Sequence, residues 1–337
     1  MTGKIKLFSS CVIVKGAGRS TICDFQRQAI KFIPNSLYDI LEKHQGKSFQ
    51  EIVVIYGQNH FDTIKEYFKF LLENEFAFLT KNPEYFPELD KSWESASLIT
   101  NAIIDLDKNS DHDYFDILEQ LSELGCKHLE FRSFDPLSLG EIEDILRHLN
   151  TSGICSVDLI IEFSEKYNMN DFEEFIRSYL RVSTISIHSS PNNKAVMRKS
   201  EGDPADIFFY KEKIKSSDHC GIISSEYFTV NQEFYLESLN FNSCLNKKIS
   251  IDVDGNIKNC PSMKESYGKI KDISLKNVLA ISKYNDYYLI TKDDIDVCKD
   301  CEFRYICTDC RAFVENGKYS KPKKCSYSPY SMEWLDE

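Results

Sequence analysis

From Cys244 onward the chain carries seven of its twelve cysteines in a regular order: Cys244-x10-Gly255-x4-Cys260, then Cys298-x2-Cys301-x5-Cys307-x2-Cys310, then Cys325. Thiolates are soft ligands that select zinc or iron–sulfur clusters, so this density points to metal before any other use. Disulfides would need an oxidising compartment. The N-terminal run LFSSCVIV is too short for a membrane span and lacks a small-residue cleavage site, so a cytoplasmic, reducing setting is expected.

Spacing favours iron–sulfur over zinc. A structural zinc site usually places a dozen or more residues between its two ligand pairs, giving each pair its own turn. Here only EFRYI separates Cys301 from Cys307. Cys260 is followed by Pro261, and a Cys-Pro step also closes the ferredoxin cluster run. Seven ligands are odd for zinc but suit two four-iron clusters, one with four cysteines and one with three.

This order resembles the SPASM domain that follows the barrel of radical S-adenosylmethionine peptide-modifying enzymes. The family has three residues inside the last pair, where this chain has two, Thr308 and Asp309. The resemblance implies two 4Fe-4S clusters. Cys298, Cys301, Cys307 and Cys325 would hold one. Cys244, Cys260 and Cys310 would hold the other and leave one iron open.

At 337 residues the chain is long enough for two or three domains with their own cores. A net charge of −12 leaves no basic surface to replace phosphate counterions, which argues against nucleic acid as a partner. No apolar run approaches the length of a membrane span.

Residues 1–90 read as a winged-helix module. KLFSSCVIVK and RSTICDF flank the glycine turn KGAGR as a hairpin. Helices are expected in NSLYDILEKH, in FQEIVVIYG with a Ser48/Glu51 capping box, and in HFDTIKEYFKFLLENE. AFLT supplies a last strand. The module has no basic recognition helix for DNA. It could instead bind a leader peptide by adding a strand to the edge of RSTICDF, against Tyr67, Phe70 or Leu71. On the residues alone, a plain packing module is the leading reading.

Residues 95–240 alternate strands and helices. SLITNAIIDLD, KHLEFRSF, SVDLIIEFS, VSTISIHSS and GIISSEYF read as strands. YFDILEQLSELG, GEIEDILRHLN, DFEEFIRSYL and DPADIFFYKEKI read as helices. Right-handed βαβ units with a parallel sheet covered on both faces follow. Five strands suit a partial (β/α) barrel, so the fold class is α/β, with a Cys-rich SPASM domain over 241–337. The loop after the first barrel strand, KNSDHDYFD, holds no cysteine, and Cys-x3-Cys-x2-Cys occurs nowhere. No thiolates are there to hold the cluster that binds and cleaves S-adenosylmethionine, so that cofactor is not expected.

Cys11, Cys23, Cys126, Cys155 and Cys220 read as small buried hydrophobes. Asp105, Glu130, Glu162, His188 and Glu226 are polar residues in apolar strands, and so candidates for a remnant pocket. His219 lies near a strand end.

RSTICDFQRQAIKFIPNSLYDIL and KISIDVDGNIKNCPSM extend the resemblance over nearly the full chain, to the SPASM-domain peptide maturases of grasp-with-spasm systems. That implies maturation of a ribosomally made peptide beside an ATP-grasp ligase, with residues 1–90 recognising the precursor's leader. Two functions follow. The protein is either a binding and escort module stapled by its clusters, or a redox or substrate-binding enzyme acting through them.

Overall fold

The computed structural model describes residues 3–197 and 205–335. In the N-terminal region, β1 (Lys4–Leu7) precedes β2 (Cys11–Lys15), β3 (Ser20–Asp24) and β4 (Ala29–Ile33). Three helices follow, α1 (Asn35–His44), α2 (Phe49–Tyr56) and α3 (Phe61–Glu73), and then β5 (Ala77–Thr80). The Ser48/Glu51 capping box forms as its spacing expects, satisfying two backbone donors at the start of α2. β2, β3 and β4 make an antiparallel sheet with β3 in the middle, while β1 pairs with β5. Ile22, Ile33, Leu37, Leu41, Ile52, Ile64, Phe68 and Leu71 form one core there.

β3 is the hairpin strand RSTICDF, and it is paired on both sides, so it offers no edge to a peptide. The free edges belong to β2 and β4. Leu71 is 1% exposed, Tyr67 Oη lies 2.7 Å from Ser36 Oγ, and Phe70 packs on Phe76. These side chains serve the module's own core, which corrects the expectation that they receive a peptide.

The middle region supplies β6 (Asn101–Leu106), α4 (Tyr114–Glu123), β7 (His128–Ser133), α5 (Leu139–His148), β8 (Ser156–Glu162), α6 (Met169–Arg177) and β9 (Val182–His188). It continues with β10 (Lys194–Val196), β11 (Asp206–Phe209) and α7 (Gln232–Asn240). After these come β12 (Lys248–Ile251), β13 (Ile257–Lys258) and the short α8 (Leu275–Leu279). The sheet order is β10-β11-β9-β8-β7-β6-β12-β13. β11, β9, β8, β7, β6 and β12 run parallel, and β10 and β13 close the edges antiparallel.

Two segments differ from their sequence reading. In DPADIFFYKEKI, expected to be helical, Asp203 and Pro204 lie outside the described residues, and Asp206–Phe209 is strand β11 beside β9. Ile207 and Phe209 alternate into the core with period two, a sheet pattern too short to separate from a helical one by sequence. GIISSEYF, expected to be a strand, is an extended segment ending in a 3₁₀ turn at Ser225–Tyr227. The last parallel place is taken by β12 from the cysteine-rich segment, which pairs with β6 over Lys248–Ile251.

The sheet is apolar on one face only. Ala102, Ile104, Leu129, Phe131, Leu159, Ile161, Ile185 and Ile187 face α4, α5 and α6 in a single core. Alternation puts Asp105, Glu130, Arg132, Asp158, Glu162 and His188 on the opposite face, so an apolar cover on both faces is not found.

Candidate metal centres and peptide groove

The Cys-x10-Gly-x4-Cys pattern folds as a hairpin. Gly255, at φ +75°, turns the chain between β12 and β13, and the register places Lys248 opposite Cys260. Asn242 Oδ1 accepts from the Cys244 backbone N–H at 3.1 Å, fixing the turn that presents Cys244. The Lys248 Nζ then stands 3.8 Å from Cys244 Sγ. Burial works against the charge on Lys248, yet Cys244, Cys260, Glu130 and Cys220 together hold its pKa above the ordinary value.

Cys310 joins this group. Its thiol is pushed up to about 11 by burial and next by the charge of Cys244, with Cys220 adding to it. Cys220 also belongs here, which corrects its reading as a small buried hydrophobe. The Cys220 and Cys260 thiols act on each other, which lowers the Cys220 pKa and raises that of Cys260. The Cys220 Sγ also lies 3.5 Å from Ser262 Oγ. Sequence spacing had no means of reaching it, because the recognisable order begins at Cys244. The one local sign is the His219-Cys220-Gly221 step, whose glycine takes φ +85°.

The second group is Cys298, Cys301, Cys307 and Cys325. A 3₁₀ turn over Cys298–Asp300 presents the first pair. Burial pushes the Cys298 thiol up to about 12, with Cys307 and Cys325 adding to the rise while Lys292 opposes it. Cys301 and Cys307 are likewise raised, first by burial. Lys292, 4% exposed, donates to the Cys307 carbonyl at 3.0 Å. Each group therefore has one lysine beside it, Lys292 buried and Lys248 half-buried.

This second group is joined to the N-terminal module through the loop between Cys301 and Cys307. Glu302, 0% exposed, accepts from Arg19 Nε at 2.8 Å and from Tyr327 Oη at 2.5 Å. The Glu302 carbonyl accepts from Thr21 Oγ1 at 2.9 Å. The Ala17 amide donates to the Asp300 carbonyl, and Arg304 donates to the Lys15 carbonyl. Thus β3 turns Ile22 toward its own helices while Cys23 packs toward Phe303, Tyr305 and the second thiol group.

Among the described residues, no three His, Cys, Asp or Glu side chains are close enough to hold a single metal ion. A lone tetrahedral zinc needs its thiolates about 3.8 Å apart. A four-iron cluster carries its ligands on separate irons and so spreads them further. Two sets of thiols, each beside a lysine ammonium group, have the donor chemistry for that larger, anionic group.

The site for S-adenosylmethionine does not fit. Its cluster would be held in the loop after β6, which here is pinned by Ser110 Oγ donating to the Val253 carbonyl at 2.8 Å and by the Lys108 amide on Asp135. The cleft beside it, about 220 Å³, is lined by Asp111, His112, Asp116, Asp254, Lys269 and Lys271, with no thiol.

The remnant-pocket candidates divide. Asp105 and Arg132 form a buried bidentate pair at 2.6 and 2.8 Å. Burial lifts Asp105 to about 6 although Arg132 pulls it down. Glu130 lies 3.4 Å from Arg132, Glu162 pairs with Lys213, and His188 Nε2 is 3.3 Å from the Ser133 carbonyl. His219 precedes Cys220 and is felt by Asp105. Glu226 is exposed in a turn, outside the sheet. Cys11, Cys23 and Cys126 are buried, but Cys155 is exposed, against its expected burial.

Sequence reasoning missed a groove along the free edge of β2. It holds about 180 Å³ and is lined by Lys6, Val12, Ile13, Glu42, Leu89 and Tyr235 among others. The Phe25 amide bonds to the Ser10 carbonyl, so Val12 and Val14 also point their backbone groups at β3. Cys11, Ile13 and Lys15 then point theirs outward. Neither the N–H nor the C=O of Ile13 has a hydrogen-bond partner among the described residues.

No protein-family model matches the chain, and no curated protein matches it. Two solved structures resemble it weakly. One is Streptococcus suis SuiB bound to S-adenosylmethionine, at 10% identity and TM-score 0.39 over 95% of this chain and 99% of that one. The other is SuiB bound to precursor peptide SuiA, at 9% identity and TM-score 0.40 over the same shares. At TM-scores below 0.5, neither superposition bears on fold or function.

Proposed function

We propose that this protein takes part in maturing a ribosomally made peptide, as a binding and escort module that works beside an ATP-grasp ligase. In this reading residues 1–90 are a winged-helix module that takes the precursor's leader. Residues 95–240 are a degenerate radical S-adenosylmethionine barrel. Residues 241–337 are a SPASM domain with two 4Fe-4S clusters, and the setting is cytoplasmic. The observation that carries the reading is the β2 groove: a strand edge open at Ile13, flanked by Glu42 of α1, by Gln45 just after that helix, and by Pro87, Glu88, Leu89 and Lys91. A leader strand added there would gain backbone hydrogen bonds for affinity and side-chain contacts for specificity.

The clusters would supply cross-linking of the segment and one-electron exchange. In the chain itself, Cys298, Cys301, Cys307 and Cys325 would hold one cluster directly under the peptide module. Lys292 and Lys248 would offset the negative charge of the two clusters, since buried charge requires a partner.

The test is titration of the neighbouring precursor's leader into the full-length protein. Binding in the micromolar range, about −8 kcal/mol, is expected. Ile13→Pro removes an outward-facing N–H, which an edge strand tolerates, together with a half-buried side chain packed on the module's core; it should abolish binding, while Ile13→Ala, which keeps the N–H, should retain it. Equal binding by wild type and the proline variant would remove the β2 groove as the site. Co-expression with the ligase, with and without this protein, reads its need in maturation from the precursor's mass.

A further inference from the structure

We propose that Cys220 is the fourth thiolate of the first group, so that Cys220, Cys244, Cys260 and Cys310 hold one four-iron cluster with no open iron. The proposal rests on the two-cluster reading above. It reverses one expectation of the resemblance, that an iron of this cluster is free for an exogenous ligand.

Three observations bring Cys220 to the site. Its Sγ lies 3.5 Å from the hydroxyl of Ser262, two residues after Cys260. A Cβ built on Gly221 would lie 2.9 Å from Cys310 Sγ, closer than real Cβ contacts come, so the chain passes Cys310 only because this residue is glycine. Lys324, next to Cys325, donates to the carbonyls of Asp218 and Cys220 at 2.5 and 2.7 Å, clamping the Cys220 turn between the two thiol groups. Cys11, Cys23 and Cys126, by contrast, pack among apolar residues of the three larger cores. Cys220 belongs to none of these cores. On cluster binding its thiol loses a proton to solvent, as a thiolate ligand must.

The test uses full-length protein purified and reconstituted without oxygen: wild type, Cys220→Ala, Cys220→Ser, and Cys155→Ala as an exposed control. Wild type should carry about eight irons, from two four-iron clusters, and its reduced electron paramagnetic resonance signals should not move with added cyanide. Cys220→Ala should open one iron, so that cyanide shifts one of its two signals. Cys155→Ala should match wild type. If Cys220→Ala is insoluble, Cys220→Ser keeps a hydroxyl at the same place and should shift one signal without cyanide. Wild type and Cys220→Ala responding alike to cyanide would overturn the proposal. So would a Cys220–Cys260 disulfide found by mass spectrometry in the loaded wild type. Wild type without iron, or an iron content unchanged by both Cys244→Ala and Cys301→Ala, would instead sink the two-cluster reading itself.

Discussion

Cys220 apart, the two thiol groups come from one stretch of sequence but lie in different surroundings. The second is packed among Phe303, Tyr305, Ile306 and Tyr327 and joined to the N-terminal sheet through Glu302. The first lies at the polar face of the large sheet, with Cys220 near Arg132 and Lys248 reaching Cys244. One group is thus placed to stiffen the N-terminal module, and the other to face whatever lies on the sheet's polar side. Chemically similar ligand sets take different duties from what they are packed against.

The largest effect should come from breaking the second group. Cys301→Ala should remove about half of the iron and most of the soluble yield, because metal binding to a segment this small is folding free energy. Equal solubility of Cys301→Ala and Cys244→Ala would erase the contrast between the groups. Next comes the bond between module and cluster loop. Arg19→Ala leaves the Glu302 carboxylate buried without its cation, and breaking such a pair costs about 3–5 kcal/mol. Thermal unfolding should fall accordingly, and leader affinity with it, while the signals of the first cluster stay in place.

A smaller effect is expected at the lysines. Lys248→Met and Lys292→Met each remove a positive charge beside one thiol group, so each should make one cluster harder to reduce and leave the other unchanged. A redox titration followed by electron paramagnetic resonance reads this directly. A variant that moves both potentials equally would mean that the two sites are not separate.

The smallest effect is a pH dependence on the polar face. Burial lowers the pKa of His188, so the folded state favours its neutral form. Its stabilising contribution is present above the unfolded value of about 6.5 and is lost as pH falls through the lowered folded value. His188→Asn should flatten that part of the melting-temperature profile between pH 7.5 and 5.5. Matching profiles for wild type and variant would remove His188 as the cause.

Local rules made much of the fold legible. The capping box at Ser48/Glu51 marks a helix start by side-chain spacing alone, and it forms. The strands β6 to β9 were visible as apolar runs. What failed depends on tertiary pairing. Asp206–Phe209 is a strand because β9 offers it an edge, a fact absent from those four residues. Cys220 enters the first thiol group because Lys324 and Gly221 hold the turn there, contacts far from the cysteine order in sequence. The β2 groove was hidden for the same reason, since the order of strands in a sheet is not written in any one strand.

The pairing of β12 with β6 has a consequence for how this chain is made. While the ribosome extends it from Leu106 to Ile251, one edge of β6 lacks its native partner, for on the order of ten seconds at ordinary elongation rates. An open edge in an apolar sheet invites pairing with another nascent chain. The strand that closes it is itself the first strand of the cysteine hairpin. Under the two-cluster proposal, iron supply during synthesis becomes a condition for shielding the middle of the molecule, and iron-starved cells should accumulate aggregates of this protein rather than soluble apoprotein.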